Sequence, residues 1–173
     1  MKMRQRCIPF LLFIISTLFL IQCKNSGNKV PEKDIVANPA KLSERTAEDI
    51  RSTLNYLKEN NGKLNDSVNF SYTSLVDSVY AANNYQAKWF KEDQTLPSGD
   101  SLLNFIQNCR LSGLFPGDYH EHLLSFIHRA FQADSNARKN AALWARADLL
   151  MTDAFFLLTI HLKQGRLPYD SVT

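Results

Sequence analysis

From Ser43 onward the apolar residues recur every three or four positions, the spacing that puts side chains on one face of an α-helix. Ile50, Leu54 and Leu57 define a first helix, with Ser43 or Thr46 as its cap and the breaker run Asn60-Asn61-Gly62 as its end. Leu75, Val76, Val79 and Tyr80 define a second. A loop follows in which Trp89 reads as a buried anchor. The next helix, capped by Ser98 or Asp100, carries Leu102, Leu103, Phe105, Ile106 and Cys109. After the turn "LSGLFPGDY", Leu111 to Tyr119, another helix places Leu123, Leu124, Ile127 and Phe131 on one face. No strand-type alternation persists for a useful length, and no segment repeats.

The last apolar stretch differs from the others. From about Ser135 to Lys163 its large side chains run Leu149, Leu150, Met151, Phe155, Phe156, Leu157, Leu158, Ile160 and Leu162. At about 100° per residue they cover nearly the whole circumference, so this helix belongs at the centre with the others around it. It is too short and interrupted to span a membrane. Asp148, Thr152, Thr159 and Lys163 form one polar stripe on it. Asp153 lies off that stripe and needs a partner if buried; Arg146 projects to nearly the same side. The expected fold is all-α: a compact bundle of about five helices around a central apolar C-terminal helix.

The turn has its own logic. Gly113 can end one helix in a left-handed cap, Pro116 can stop its continuation, and Gly117-Asp118 can start the next helix. Leu114, Phe115 and Tyr119 would pin the corner to the core.

Ahead of the helices, a basic start "MKMRQR" precedes the apolar run "CIPFLLFIISTLFLI". The run is shorter than a membrane span of about 20 residues and suits a signal peptide. It closes on "LIQC" and resembles a bacterial lipoprotein signal, with Gln22 where a small residue is usual. That resemblance implies a signal over residues 1–22, lipidation of Cys23 and a polar tether over 23–40, followed by the helical domain over 41–173. An uncleaved signal anchor is the other reading, and both tether the domain to a membrane. Lys24 is not the aspartate that retains many lipoproteins in the inner membrane, which points to a periplasm-facing position on the outer membrane.

Charge changes the picture little once that signal is set aside. The chain carries 20 Lys and Arg against 17 Asp and Glu. Lys2, Arg4 and Arg6 account for the whole excess, so no basic footprint for nucleic acid remains. Of three cysteines, Cys7 lies in the signal and Cys23 is the lipidation candidate, so Cys109 cannot form an internal disulfide. Its helical spacing among apolar residues marks it as a small buried hydrophobe.

Candidate chemistry is sparse. His120 and His122 in "HEH" would project about 200° apart on a helix and cannot share a metal; His128 lies about 80° or more from the angular position of either, His161 is remote, and the pair read as solvated or capping histidines. Asp148 and Asp153 fall on different faces and do not form an acid/base pair. No cofactor loop, nucleophile–base pair or metal set can be assembled, so neither catalytic nor metal-binding residues are expected. The tripeptides Asp-Ser-Val at Asp66, Asp77 and Asp170, and Asp-Ser-Leu at Asp100, resemble an O-glycosylation acceptor but equally make caps and turns.

Three phrases carry more. "VYAANNYQAKW" (Tyr80, Trp89), "LSGLFPGDY" (Gly113, Leu114, Pro116, Tyr119) and "ARADLLMTDAFFLLTIHLKQGRL" (Asp148, Thr152, Asp153) follow in an order and spacing that resembles the N-terminal scaffold domain of the large periplasmic L,D-transpeptidases. The resemblance covers roughly residues 70 to 170. It implies a place in peptidoglycan cross-linking, where a separate YkuD-type domain supplies the catalytic cysteine and histidine. The Ser-x-Gly-Cys nucleophile motif of that domain is not matched at Cys109, which sits within the scaffold. The expectation is a non-catalytic, lipid-anchored scaffold, either truncated or acting through a partner: an L,D-transpeptidase catalytic domain, another cell-wall enzyme or peptidoglycan itself. The alternative is a helical lipoprotein adaptor for another envelope protein, unrelated to peptidoglycan.

Overall fold

The computed structural model describes residues 29–166. Its elements run α1 (Pro39–Glu59), β1 (Lys63–Asn65), β2 (Val68–Asn69), α2 (Thr73–Ala81), β3 (Phe90–Lys91), β4 (Gln94–Thr95), α3 (Pro97–Asn108), two 3-10 turns (Cys109–Ser112 and Pro116–Tyr119), α4 (Glu121–Ala133), α5 (Ser135–Arg138) and α6 (Ala141–Gln164). The fold is helical, as the periodicity predicts, and α6 is its centre. Every residue from Ala147 to Ala154 is buried, including both aspartates.

The starts of the helices differ from the expected ones. α1 begins before Ser43: Asn38 accepts the amide of Ala40 (3.0 Å) and Pro39 occupies the first turn, where its missing N–H costs nothing. Likewise α3 begins at Pro97 rather than after a Ser98 or Asp100 cap. The long C-terminal segment is two helices, broken at Lys139–Asn140. There the backbone turns aside to pair with the chain at Asp34–Val36: Val36 N donates to Lys139 O (2.8 Å) and Ala141 N to Asp34 O (2.7 Å). Residues that read as tether are therefore part of the folded body. Arg45 reinforces the join through Asp34 (2.7 Å).

Two hairpins also escaped the strand test, because each is only two or three residues per strand. β1 pairs with β2 and β3 with β4, both antiparallel. The first turns through an Asn65 side chain that accepts from Ser67 N (2.9 Å).

Trp144 stacks on Phe131 with ring centroids 3.7 Å apart and meets Phe90 edge-on at 4.6 Å. Such contacts add about 0.5–1.5 kcal/mol to the burial of the rings. Ile50, Leu54, Leu57, Leu149 and Leu150 are fully enclosed. Cys109 is buried as expected, and burial pushes its thiol pKa up.

Candidate functional site

The central helix carries two buried carboxylates, each closed by donors from loops far away in sequence. Asp148 accepts the amides of Lys88 (2.9 Å) and Trp89 (2.9 Å) and the hydroxyl of Tyr80. One turn on, Thr152 Oγ1 accepts from the Trp89 indole (2.8 Å) and lies 2.6 Å from Tyr80 Oη. Tyr80, Trp89, Asp148 and Thr152 are thus one polar cluster. Burial raises the Asp148 pKa to about 6 against the lowering effect of its donors, and raises that of Tyr80 well above its ordinary value.

Asp153 forms the second clasp. It accepts from Tyr72 N (3.0 Å) and Ser71 N (3.3 Å), the amides leading into α2, and pairs with His120 Nε2 at 2.9 Å. Its partner is thus not Arg146. His120 is also not a solvated histidine: its side chain is mostly buried, with its backbone in the left-handed region (φ 57°) ahead of α4. His122 is the exposed member of the pair. Periodicity could not separate them, since what selects His120 is the approach of Asp153 across the fold.

The corner between α3 and α4 matches its reading in most respects. Gly113 is left-handed (φ 74°), and Leu114 N returns to Cys109 O (3.1 Å). Leu114, Pro116 and Tyr119 are buried, and Tyr119 Oη meets His161 Nδ1 at 2.8 Å. Burial pushes the Tyr119 phenol up to about 12. Two details differ. Gly117-Asp118 lies in a 3-10 turn, and α4 starts after His120. Phe115 stays half exposed, with the Arg166 guanidinium over its ring at 4.2 Å while Arg166 pairs with Asp118. His161 and Arg166 had no signal in the sequence beyond their position near the end of α6.

The C-terminal half of α6 exposes two large apolar side chains among polar ones such as Thr159 and Lys163. Phe155 and Leu162, two turns apart, are 43% and 56% exposed. Phe155 touches Trp89 and Phe156 at centroid distances of 5.7 and 5.8 Å. Among the described residues no group of His, Cys, Asp and Glu could hold a metal, and no helix is long and apolar enough to cross a membrane. Cys23 lies outside the described residues.

In this helical domain the buried polar groups of the central helix, Asp148, Thr152 and Asp153, fasten distant segments of the chain to it. Residues 74–173, well over half of the chain, match the scaffold-domain family, and the chain belongs to that family. This agrees with the L,D-transpeptidase-like phrases, and no catalytic domain is matched along the sequence. No curated protein and no solved structure showed a significant match. The matched region begins within α2, yet α1 packs along α6, so the folded unit extends ahead of it.

Proposed function

We propose that this domain is the non-catalytic, lipid-anchored scaffold of a peptidoglycan L,D-transpeptidase, holding a cross-linking catalytic domain at the periplasmic face of the outer membrane. The observation that carries the reading is the scaffold-family match over residues 74–173. The exposed Phe155 and Leu162 on α6 support it, because large apolar side chains left on the surface suit contact with another domain. The domain adds no acyl-transfer step of its own: Cys109 is enclosed, and its raised pKa disfavours the thiolate.

Photo-crosslinkers placed at Phe155 and at Leu162 in cells test the docking face, with one at exposed Asn136 as control. Capture of an L,D-transpeptidase catalytic domain at the first two positions is expected, together with retention of the protein on isolated sacculi. Capture only of an envelope protein without cell-wall chemistry, and no retention, would replace this reading with the adaptor. Fatty-acid labelling that disappears in Cys23→Ala, with loss of the protein from outer-membrane fractions, checks the anchor.

A further inference from the structure

An open groove of about 710 Å³ lies away from Phe155 and Leu162, between the β1–β2 hairpin and the start of α4. Val68, Leu123 and Phe126 give it an apolar wall, and Phe126 is 61% exposed there. Arg146 reaches it from α6, and Asp66 lies at its hairpin edge.

Arg146 is the unusual member. Its Nε is fully withdrawn from solvent yet has no hydrogen-bond partner. The guanidinium forms no ion pair among the described residues, whereas Arg45, Lys58 and Arg166 each have a carboxylate. The acid that projects toward the same side of α6, Asp153, is occupied by Ser71, Tyr72 and His120. His120 also lines the groove, with its Nε2 turned to Asp153. A buried donor without an acceptor is costly, and a planar guanidinium fork fits a carboxylate through two parallel bonds.

We infer that this groove binds an organic carboxylate with a small apolar neighbour, of the kind found at the free C-terminus of a short peptide. The carboxylate meets Arg146 and the apolar part lies against Leu123 and Phe126. The inference does not depend on the proposed cell-wall role, since it concerns a different surface and only the groove's own chemistry.

Calorimetric titration of the full chain in detergent with N-acetyl-alanyl-alanine tests it, with the C-terminal amide of the same dipeptide as control. The acid is expected to bind saturably and the amide about tenfold more weakly, the loss of one charge-assisted contact. Arg146→Gln should abolish the difference and Arg146→Lys should keep part of it. Phe126→Ala, at an exposed position that leaves the fold intact, should weaken the acid several-fold. Equal binding of acid and amide, no saturable binding of either, or unchanged binding in both Arg146→Gln and Phe126→Ala would overturn the assignment. Inorganic phosphate competing as strongly as the dipeptide would also overturn it, in favour of a general anion site.

Discussion

Asp148 and Asp153 lie five residues apart on one helix and hold different parts of the chain. Asp148 closes on Tyr80 and the amides of Lys88 and Trp89; Asp153 closes on the entry to α2 and on His120. Five residues rotate a helix by about 140° beyond a full turn, so the two carboxylates face different sides. A helix apolar all round has little preference for one rotation over another. Two buried carboxylates with fixed donors make a single rotation satisfiable, since any other leaves charges and amides unpaired in a low-dielectric interior.

Tyr80→Phe removes one donor from Asp148 and one partner from Thr152, and is expected to cost about 1–3 kcal/mol. Asp148→Asn should cost at least as much, because its amide cannot accept from three donors equally. Urea unfolding of the two single variants and the double variant should show less loss in the double than the sum. Strict additivity would mean that the cluster does not act as a unit.

Asp153→Ala should act locally before it acts globally. It frees the Ser71 and Tyr72 amides and His120 together, so hydrogen exchange is expected to speed up from Ser71 through α2 while the segment around Cys109 stays protected. A uniform rise across the domain would instead report general destabilisation.

Much of this was legible in the sequence, and the rest failed for definable reasons. The all-round apolar pattern of α6 identified the core, and the need of Asp153 for a partner followed from its position alone. The identity of that partner did not, because Ser71, Tyr72 and His120 are distant in sequence and only packing brings them together. Arg146 was the local candidate and lost to them. The break at Asn140 was hidden because the Asp34–Val36 segment looks like polar tether until its backbone pairs with the chain there, and α1 starts early because Asn38 and Pro39 cap it within that same tether-like stretch. Short hairpins such as Phe90–Thr95 carry too few alternating positions to be read at all.

Stability should fall as pH rises from about 4 to 7 through two buried acids. Burial lifts the pKa of Asp49 and of Asp148 from 3.8 to about 6, and the nearby Asp34 and Glu48 carboxylates add to the effect at Asp49. The folded protein thus holds these protons more tightly than the unfolded chain. Their contribution is complete below pH 3.8 and is lost as pH rises through about 6. Asp49 Oδ2 is buried without a partner, so Asp49→Asn gives a test that leaves both clasps intact. Thermal melts should show a shallower pH dependence in the variant and a higher midpoint than wild type at pH values above 7. An identical slope in both proteins would remove Asp49 from the account.

Two left-handed glycines should respond differently to alanine. Gly62 ends α1 at φ 81° and Gly113 turns the α3–α4 corner at φ 74°. Each alanine pays about 1–2 kcal/mol for the left-handed backbone. At Gly113 an added methyl meets nothing within 4 Å, so the cost ends there. At Gly62 it would lie 2.8 Å from Thr73 Oγ1 and 3.0 Å from the Phe70 carbonyl. Phe70 cannot easily give way, since its amide donates to Gly62 O at 2.9 Å and its ring is buried beside His120. Gly62→Ala should therefore lower the melting temperature clearly more than Gly113→Ala, and Gly113→Asn should recover part of the smaller loss because asparagine tolerates that backbone. Equal losses at the two glycines would show that the close approach of Phe70 and Thr73 to Gly62 relaxes freely, and that only the backbone conformation demands glycine at either turn.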